Sequence, residues 1–259
     1  MKNCLKKLLQ LLLPLLSISF LQAEATELHI AVAANFIMPL TEISAEFEKS
    51  TGHQVILIPG STGKHYAQII NGAPFDIFFS ADAEYPALLD DAGLAIADSR
   101  YTYALGRLVL WSSQRQLIDT NGKILATGNF QHLAIANPRL APYGRAAREV
   151  LQKLNQWEQL TTRLVRGENI SQTFQFVYSG NAELGFIAHS QLLSLAHEQR
   201  GSSWLIPAEM HTLIAQQAIQ LTDSEIARSF LAYAKSAKAQ QIILKYGYDL
   251  PATGYTKAH

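Results

Sequence analysis

Two hydroxyl side chains, Ser61 and Thr62, stand between two glycines in the stretch Pro59-Gly60-Ser61-Thr62-Gly63-Lys64. The stretch follows the β-favouring run Val55-Ile56-Leu57-Ile58. It precedes His65 to Ile70, whose spacing predicts a helix with Tyr66, Ile69 and Ile70 on one face. A small-residue turn at a helix start presents backbone N–H groups without intrahelical partners, at the positive end of the helix dipole, and an anion fits there. The same residues also describe a plain N-cap, since Ser and Thr cap many helices. They do not form a Walker A phosphate loop: Gly60 and Gly63 are too close together, and His65 stands where Ser or Thr would follow the lysine. A hydrolase reading would make Ser61 or Thr62 the nucleophile and His65 its base. It lacks the Gly-x-Ser-x-Gly elbow, and His65 is expected on the helix surface. No pair of histidines has the His-Glu-x-x-His spacing of a zinc hydrolase. Lys64 either faces the anion or extends its stem into solvent, and solvent is the favoured reading.

The elements that must hold this turn repeat its pattern. Glu27 to Ala33 reads as a strand, interrupted at Ala34-Asn35-Phe36 and followed by a helix over 38–50 with Leu40, Ile43 and Phe47 inward. Asn35 and Ser61-Thr62 therefore occupy matching strand-to-helix turns, and in an open α/β sheet such turns share the carboxyl edge where ligands bind. Phe75 to Phe79 is a third expected strand. It ends in Ser80-Ala81-Asp82, with Asp82 as a helix cap and Asp76 satisfying local backbone.

Further along, strands are expected over 107–111, 133–136 and 184–188, with a short element in 122–130. A helix over 145–154 begins near Tyr143, and Leu164-Val165 leads through Glu168 to Ser171 into a helix carrying Phe174, Phe176 and Val177. A strand over 218–221 and helices over 223–234 and 237–246 close the chain, the helix pair packing back on the first half.

The 259 residues carry 21 basic and 21 acidic side chains, with no basic patch for nucleic acid. Lys2, Lys6 and Lys7, the apolar run Leu8 to Phe20 and the triplet Ala23-Glu24-Ala25 read as a cleavable export signal over 1–25. The run is shorter than the roughly 20 residues of a membrane span. The single cysteine, Cys4, lies within it, so disulfides and thiol chemistry are not expected in the exported chain.

Gly72-Ala73-Pro74-Phe75-Asp76 with Phe79-Ser80-Ala81-Asp82 resembles a signature of the periplasmic molybdate-binding proteins of ABC importers. The Ala-Ala-Asn-Phe and Gly-Ser-Thr-Gly turns lie at the positions of that family's first two ligand loops. The likeness continues through Asn137-Pro138, Ala141-Pro142-Tyr143-Gly144, Leu184-Gly185-Phe186 and Tyr246-Gly247-Tyr248. It implies an α/β, two-lobed periplasmic-binding-protein fold, each lobe an open sheet flanked by helices. The expected lobes are 26–106 with 212–259, and 107–211. It also implies a monomer that captures molybdate or tungstate, without a cofactor, a catalytic residue or a free cation site, and hands it to a membrane permease.

Carried over position by position, the ligand residues would be Ala34, Asn35, Ser61, Thr62, Tyr143 and, through its N–H, Ile170. Ala188 departs from members with a tyrosine hydroxyl after the corresponding strand. The implied chemistry is a dianion held by neutral donors, since a desolvated oxyanion needs donors on each oxygen. The fold alone leaves sulfate, phosphate or an organic anion open.

Overall fold

The computed structural model describes residues 27–252. The export signal read over 1–25, with Cys4, lies outside them. The first half of the chain runs β1 (Glu27–Ala33), α1 (Ile37–Thr51), β2 (Gln54–Gly60), α2 (Thr62–Ile70), β3 (Ile77–Phe79), α3 (Glu84–Asp91), β4 (Tyr101–Gly106) and β5 (Leu108–Ser112). The middle runs α4 (Ile124–Thr127), β6 (Leu133–Ala136), α5 (Pro142–Lys153), α6 (Trp157–Leu160), β7 (Leu164–Gly167), α7 (Ile170–Tyr178), β8 (Leu184–Ala188), α8 (His189–Leu193) and β9 (Ser202–Leu205). The last described elements are β10 (Ile214–Gln220), α9 (Glu225–Ala234) and α10 (Ala237–Lys245).

These strands form two five-stranded sheets, β2-β1-β3-β10-β4 and β7-β6-β8-β5-β9. In each, the first three strands are parallel and the fourth runs against them. The parallel strands are covered on both faces, which is why Ile77–Phe79, Leu133–Ala136 and Leu184–Ala188 are buried throughout rather than alternating.

In β1, successive side chains serve opposite faces. Leu28, Ile30 and Val32 pack with Leu40, Ile43 and Phe47 of α1 and with Phe230 and Ile243 of the closing helix pair. Ala31 lies with Phe78, Ile219, Ile69 and Leu89 on the other face. The second sheet packs Leu133, Ile135 and Phe186 with Val150 and Leu151 of α5, and Ala134 and Ile187 with Val177 of α7.

Two expectations about α2 change. Ile70 is 48% exposed, and His65, expected at the surface, is 2% exposed. The inward stripe runs Thr62, His65, Ile69, so the imidazole occupies the slot that an i, i+4 pattern gives to an apolar side chain. The strands β4 and β9 were not legible in the sequence; both lie at sheet edges.

Candidate functional site

Four strands end at one place. β1 and β2 of the first sheet and β6 and β7 of the second each run into a helix start: a 3-10 turn over Ala34–Phe36, then α2, α5 and α7. Between these starts is a cavity of about 10 Å³ whose lining includes all six residues singled out in the sequence, Ala34, Asn35, Ser61, Thr62, Tyr143 and Ile170. No lining residue carries a charged side chain. The walls already touch: the Gly63 N–H donates to the Leu140 carbonyl at 2.8 Å. A side chain at Gly63 would crowd that contact, since a Cβ there would lie 3.1 Å from the Tyr85 hydroxyl and 3.2 Å from the Leu140 backbone.

The donors differ in how far the protein itself uses them. Ser61 stands at the N-cap of α2, yet its side chain makes no cap bond, and its buried Oγ has no hydrogen-bond partner among the described residues. Thr62 Oγ1 accepts from the Ala81 N–H at 3.0 Å, which leaves its own O–H to donate elsewhere. At α5 the N-cap is Ala141, which has no capping group, and Pro142 has no N–H, so the Tyr143 N–H leads that turn. At α7, Asn169 Oδ1 accepts from the N–H groups of Ser171 and Gln172, both at 3.0 Å, but not from that of Ile170. Three helix N-termini thus direct partial positive charge into a space with no formal charge.

A family model described as bacterial extracellular solute-binding protein matches residues 28–249. This chain belongs to that family. It is 46% identical to the molybdate-binding protein ModA of Azotobacter vinelandii over 231 residues, 88% of this chain and 92% of that protein. To the ModA of Rhodobacter capsulatus it is 44% identical, across 88% and 90% of the two chains. The solved Azotobacter vinelandii periplasmic molybdate-binding protein superposes with a TM-score of 0.84 at 43% identity, covering 87% of this chain and all (100%) of that one. The two-lobed fold and the resemblance read from the signature residues are both borne out.

In this solute-binding protein, Lys64 does not line the cavity. It pairs with Glu168 at 2.9 Å on the other side of the cleft, both side chains about half exposed at 51% and 45%. His65 is no base for Ser61 or Thr62. Its Nε2 meets the Val32 carbonyl at 3.2 Å and its Nδ1 meets Gln68 at 3.1 Å. Burial lowers its pKa against the opposing effect of these bonds, so the fold holds it neutral. Asp82 does cap its helix, accepting from the Tyr85 N–H at 3.2 Å, but it also pairs with Arg145 of α5, a second ion pair between the two walls. Asp76 accepts from the His29 N–H at 2.8 Å, so it satisfies the backbone of β1 rather than of its own turn.

Beneath the lining lies a buried polar cluster that the sequence reading missed. The Asn35 side-chain nitrogen donates to Gln216 Oε1 at 2.7 Å and to the Tyr248 hydroxyl at 3.1 Å, so both its N–H groups serve the protein. Gln216 Nε2 donates to the Tyr143 hydroxyl at 3.3 Å. Burial pushes the phenol of Tyr248 up to about 12 and that of Tyr143 well above its ordinary value, so both keep their protons. Asn35, Tyr143 and the Tyr246-Gly247-Tyr248 segment each stood out in the sequence, but nothing there joined them to one another or to Gln216. Gln216 lies 181 residues from Asn35, and no local pattern links them.

Proposed function

We propose that this protein binds molybdate, and tungstate as its close analogue, between two lobes, and delivers it in the periplasm to the permease of an ABC importer. The lobes of this reading are 26–106 with 212–259, and 107–211. The observation that carries it is the cavity: the starts of α2, α5 and α7 and two hydroxyls converge on a space lined by no charged side chain. Such a set supplies donors and no acceptor carboxylate, which suits a fully deprotonated tetrahedral oxyanion and disfavours one that retains a proton. The relatives named molybdate-binding proteins give the anion its identity.

In this reading Ser61 and Thr62 donate through their hydroxyls. Tyr143 and Ile170 donate through helix-start N–H groups, the Tyr143 phenol being held by Gln216 below the lining. Ala34 and Asn35 contribute main chain, while the Asn35 amide holds its own turn. At about 10 Å³ the cavity has room for roughly one water, so uptake requires the walls to part and reclose around the anion. The protein acts as a monomer and a carrier, without catalysis or a cofactor.

Calorimetry of the purified protein tests this with molybdate, tungstate, sulfate and phosphate. Molybdate and tungstate are expected to bind far more tightly than the other two, and scattering should show a smaller radius of gyration when either is bound. Phosphate binding equal to that of molybdate would overturn the ligand assignment, and an unchanged scattering profile at saturation would overturn the clamp.

A further inference from the structure

We infer that Arg145 is a positioning residue of the site: by pairing with Asp82 across the cleft, it lets the start of α5 close on the anion. The inference rests on the oxyanion reading above. Asp82 directly follows Ala81 of the lining, and Arg145 stands two residues after Tyr143. Ala81 and Pro142 line both the anion cavity and a wider one of about 250 Å³, whereas Asp82 and Arg145 line only the wider one. The pair is thus next to the anion cavity without entering it. Asp82 Oδ1 serves its own turn, accepting from the Ser80 hydroxyl at 2.9 Å and the Tyr85 N–H at 3.2 Å. Oδ2 accepts from Arg145. The Asp82 side chain is only 11% exposed, and Pro142, Arg145 and Ala146 of α5 share its cavity.

Closing the walls takes water from a carboxylate that stands beside the space for a dianion. Left unpaired, that charge would oppose closure twice: it loses its hydration, and it repels the anion. Burial pushes the Asp82 carboxyl up, and the Arg145 guanidinium is the foremost influence holding it down. The arginine itself sits close to the positive end of α5, where a cation opposes the helix dipole, and a partner across the cleft offsets that. Arg145 is not a free positive charge for the anion. Glu84 lies 3.5 Å from the same guanidinium nitrogen that meets Asp82, and the guanidinium does not line the anion cavity. Its part is to cancel Asp82. Because the two groups stand on different walls, the cancellation exists only when the walls meet.

The test is a double-mutant cycle read with molybdate by calorimetry and by rapid-mixing kinetics. Arg145→Met should weaken binding by roughly ten- to a hundredfold, because removing one partner of a buried pair strands the other. Asp82→Asn removes the stranded charge, so in that background Arg145→Met should cost less than about threefold. The Arg145→Met loss should appear as faster release, with the association rate changed by less than about threefold, since the pair forms after the anion has landed. An equal cost in both backgrounds overturns the inference and makes Arg145 a charge that acts on the anion itself. So does a loss confined to the association rate, or an Arg145→Met protein that binds as the wild type does. Should Arg145→Met melt below the assay temperature, the double variant keeps the test, since it strands no carboxylate. Affinity within about threefold of Asp82→Asn alone upholds the inference, and any larger further loss overturns it. A wild-type protein that binds no molybdate overturns the oxyanion reading and this inference with it, whereas tight wild-type binding with equal costs in both backgrounds overturns the inference alone.

Discussion

The starts of α2 and α7 face the same cavity and are finished in opposite ways. Asn169 caps α7 in the usual manner, its carboxamide oxygen accepting two N–H groups of the first turn. Ser61 stands at the same position of α2 and caps nothing; its hydroxyl is buried and without a partner among the described residues. A buried hydroxyl left unpaired costs about 1–3 kcal/mol, so a residue type suited to capping that does not cap carries more information than one that does. The α7 cap stabilises the protein itself. In the proposed reading, the α2 hydroxyl is the one left for the anion.

The largest expected effects separate these two roles. Ser61→Ala should weaken molybdate binding by roughly ten- to a hundredfold and leave the ligand-free melting temperature unchanged or slightly raised, since it removes an unpaired polar group. Loss of stability without loss of affinity would place Ser61 with the ordinary caps. Thr62→Val should lower both quantities, because the buried Ala81 N–H loses its acceptor along with the site losing a donor, and Thr62→Ser should restore both.

Asn169→Ala is the converse. Calorimetric melting should show a loss of about 1 kcal/mol, roughly 2–4 °C, with an affinity change well below that of Ser61→Ala. A hundredfold affinity loss there would erase the contrast between the two helix starts.

His65 extends the comparison to pH, because it supports α2 from below and α7 has no counterpart among the described residues. Its folded pKa lies below the unfolded value of 6.5, so above that pH both states are neutral and stability does not vary on its account. As pH falls through 6.5, the unfolded chain takes up the proton first and stability declines. His189, also lowered by burial, has the same sign. The melting temperature should therefore drop between pH 7 and pH 5, and His65→Gln should shrink the slope without abolishing it. An unaltered slope would show that His65 titrates normally.

The smallest effect belongs to Lys64. Its exposed pair with Glu168 joins the rims of the two helix starts, and Lys64→Ala should change affinity by well under tenfold, less as salt rises. Abolished binding in that variant would mean that a full charge, not neutral donors, holds the anion.

What the sequence displayed and what it hid divide along the range of the interactions. The strands Leu133–Ala136 and Leu184–Ala188 have the bounds read from their residues, because a fully buried strand is a continuous apolar run, and Glu27–Ala33 also keeps its bounds with its two polar residues confined to its more open first half. Asn35, Ser61, Thr62 and Tyr143 stood out because strand-to-helix turns are local, and Ala34 and Ile170 came with the family resemblance, although only the fold brings four such turns to one cavity. The edge strand Ser202–Leu205 was missed because its four residues have half their burial decided by a neighbour far away in the chain. His65 was misplaced for a related reason. A histidine beside a lysine reads as polar surface, whereas in the fold the carbonyl of Val32, 33 residues earlier, and the Gln68 side chain satisfy its ring. Gln216 was invisible for the same cause at greater range: glutamine is common on strands, and its meaning comes from three partners on separate elements.

Arg107 alone separates β4 of one sheet from β5 of the other, and residues 206–213 make the return crossing from β9 to β10. Backbone bonds between Leu105 and Asp249, at 2.7 and 3.1 Å, fasten the C-terminal segment beside the first crossing. So short a tether keeps the donors of one wall within reach of any anion resting on the other. For such an anion, the second set of contacts is an intramolecular event at an effective concentration on the order of millimolar or above. In the proposed reading the two walls therefore act as the arms of a chelator. Modest neutral donors on each add up to tight capture because the linkage has already removed most of the translational freedom that a second binding partner would lose.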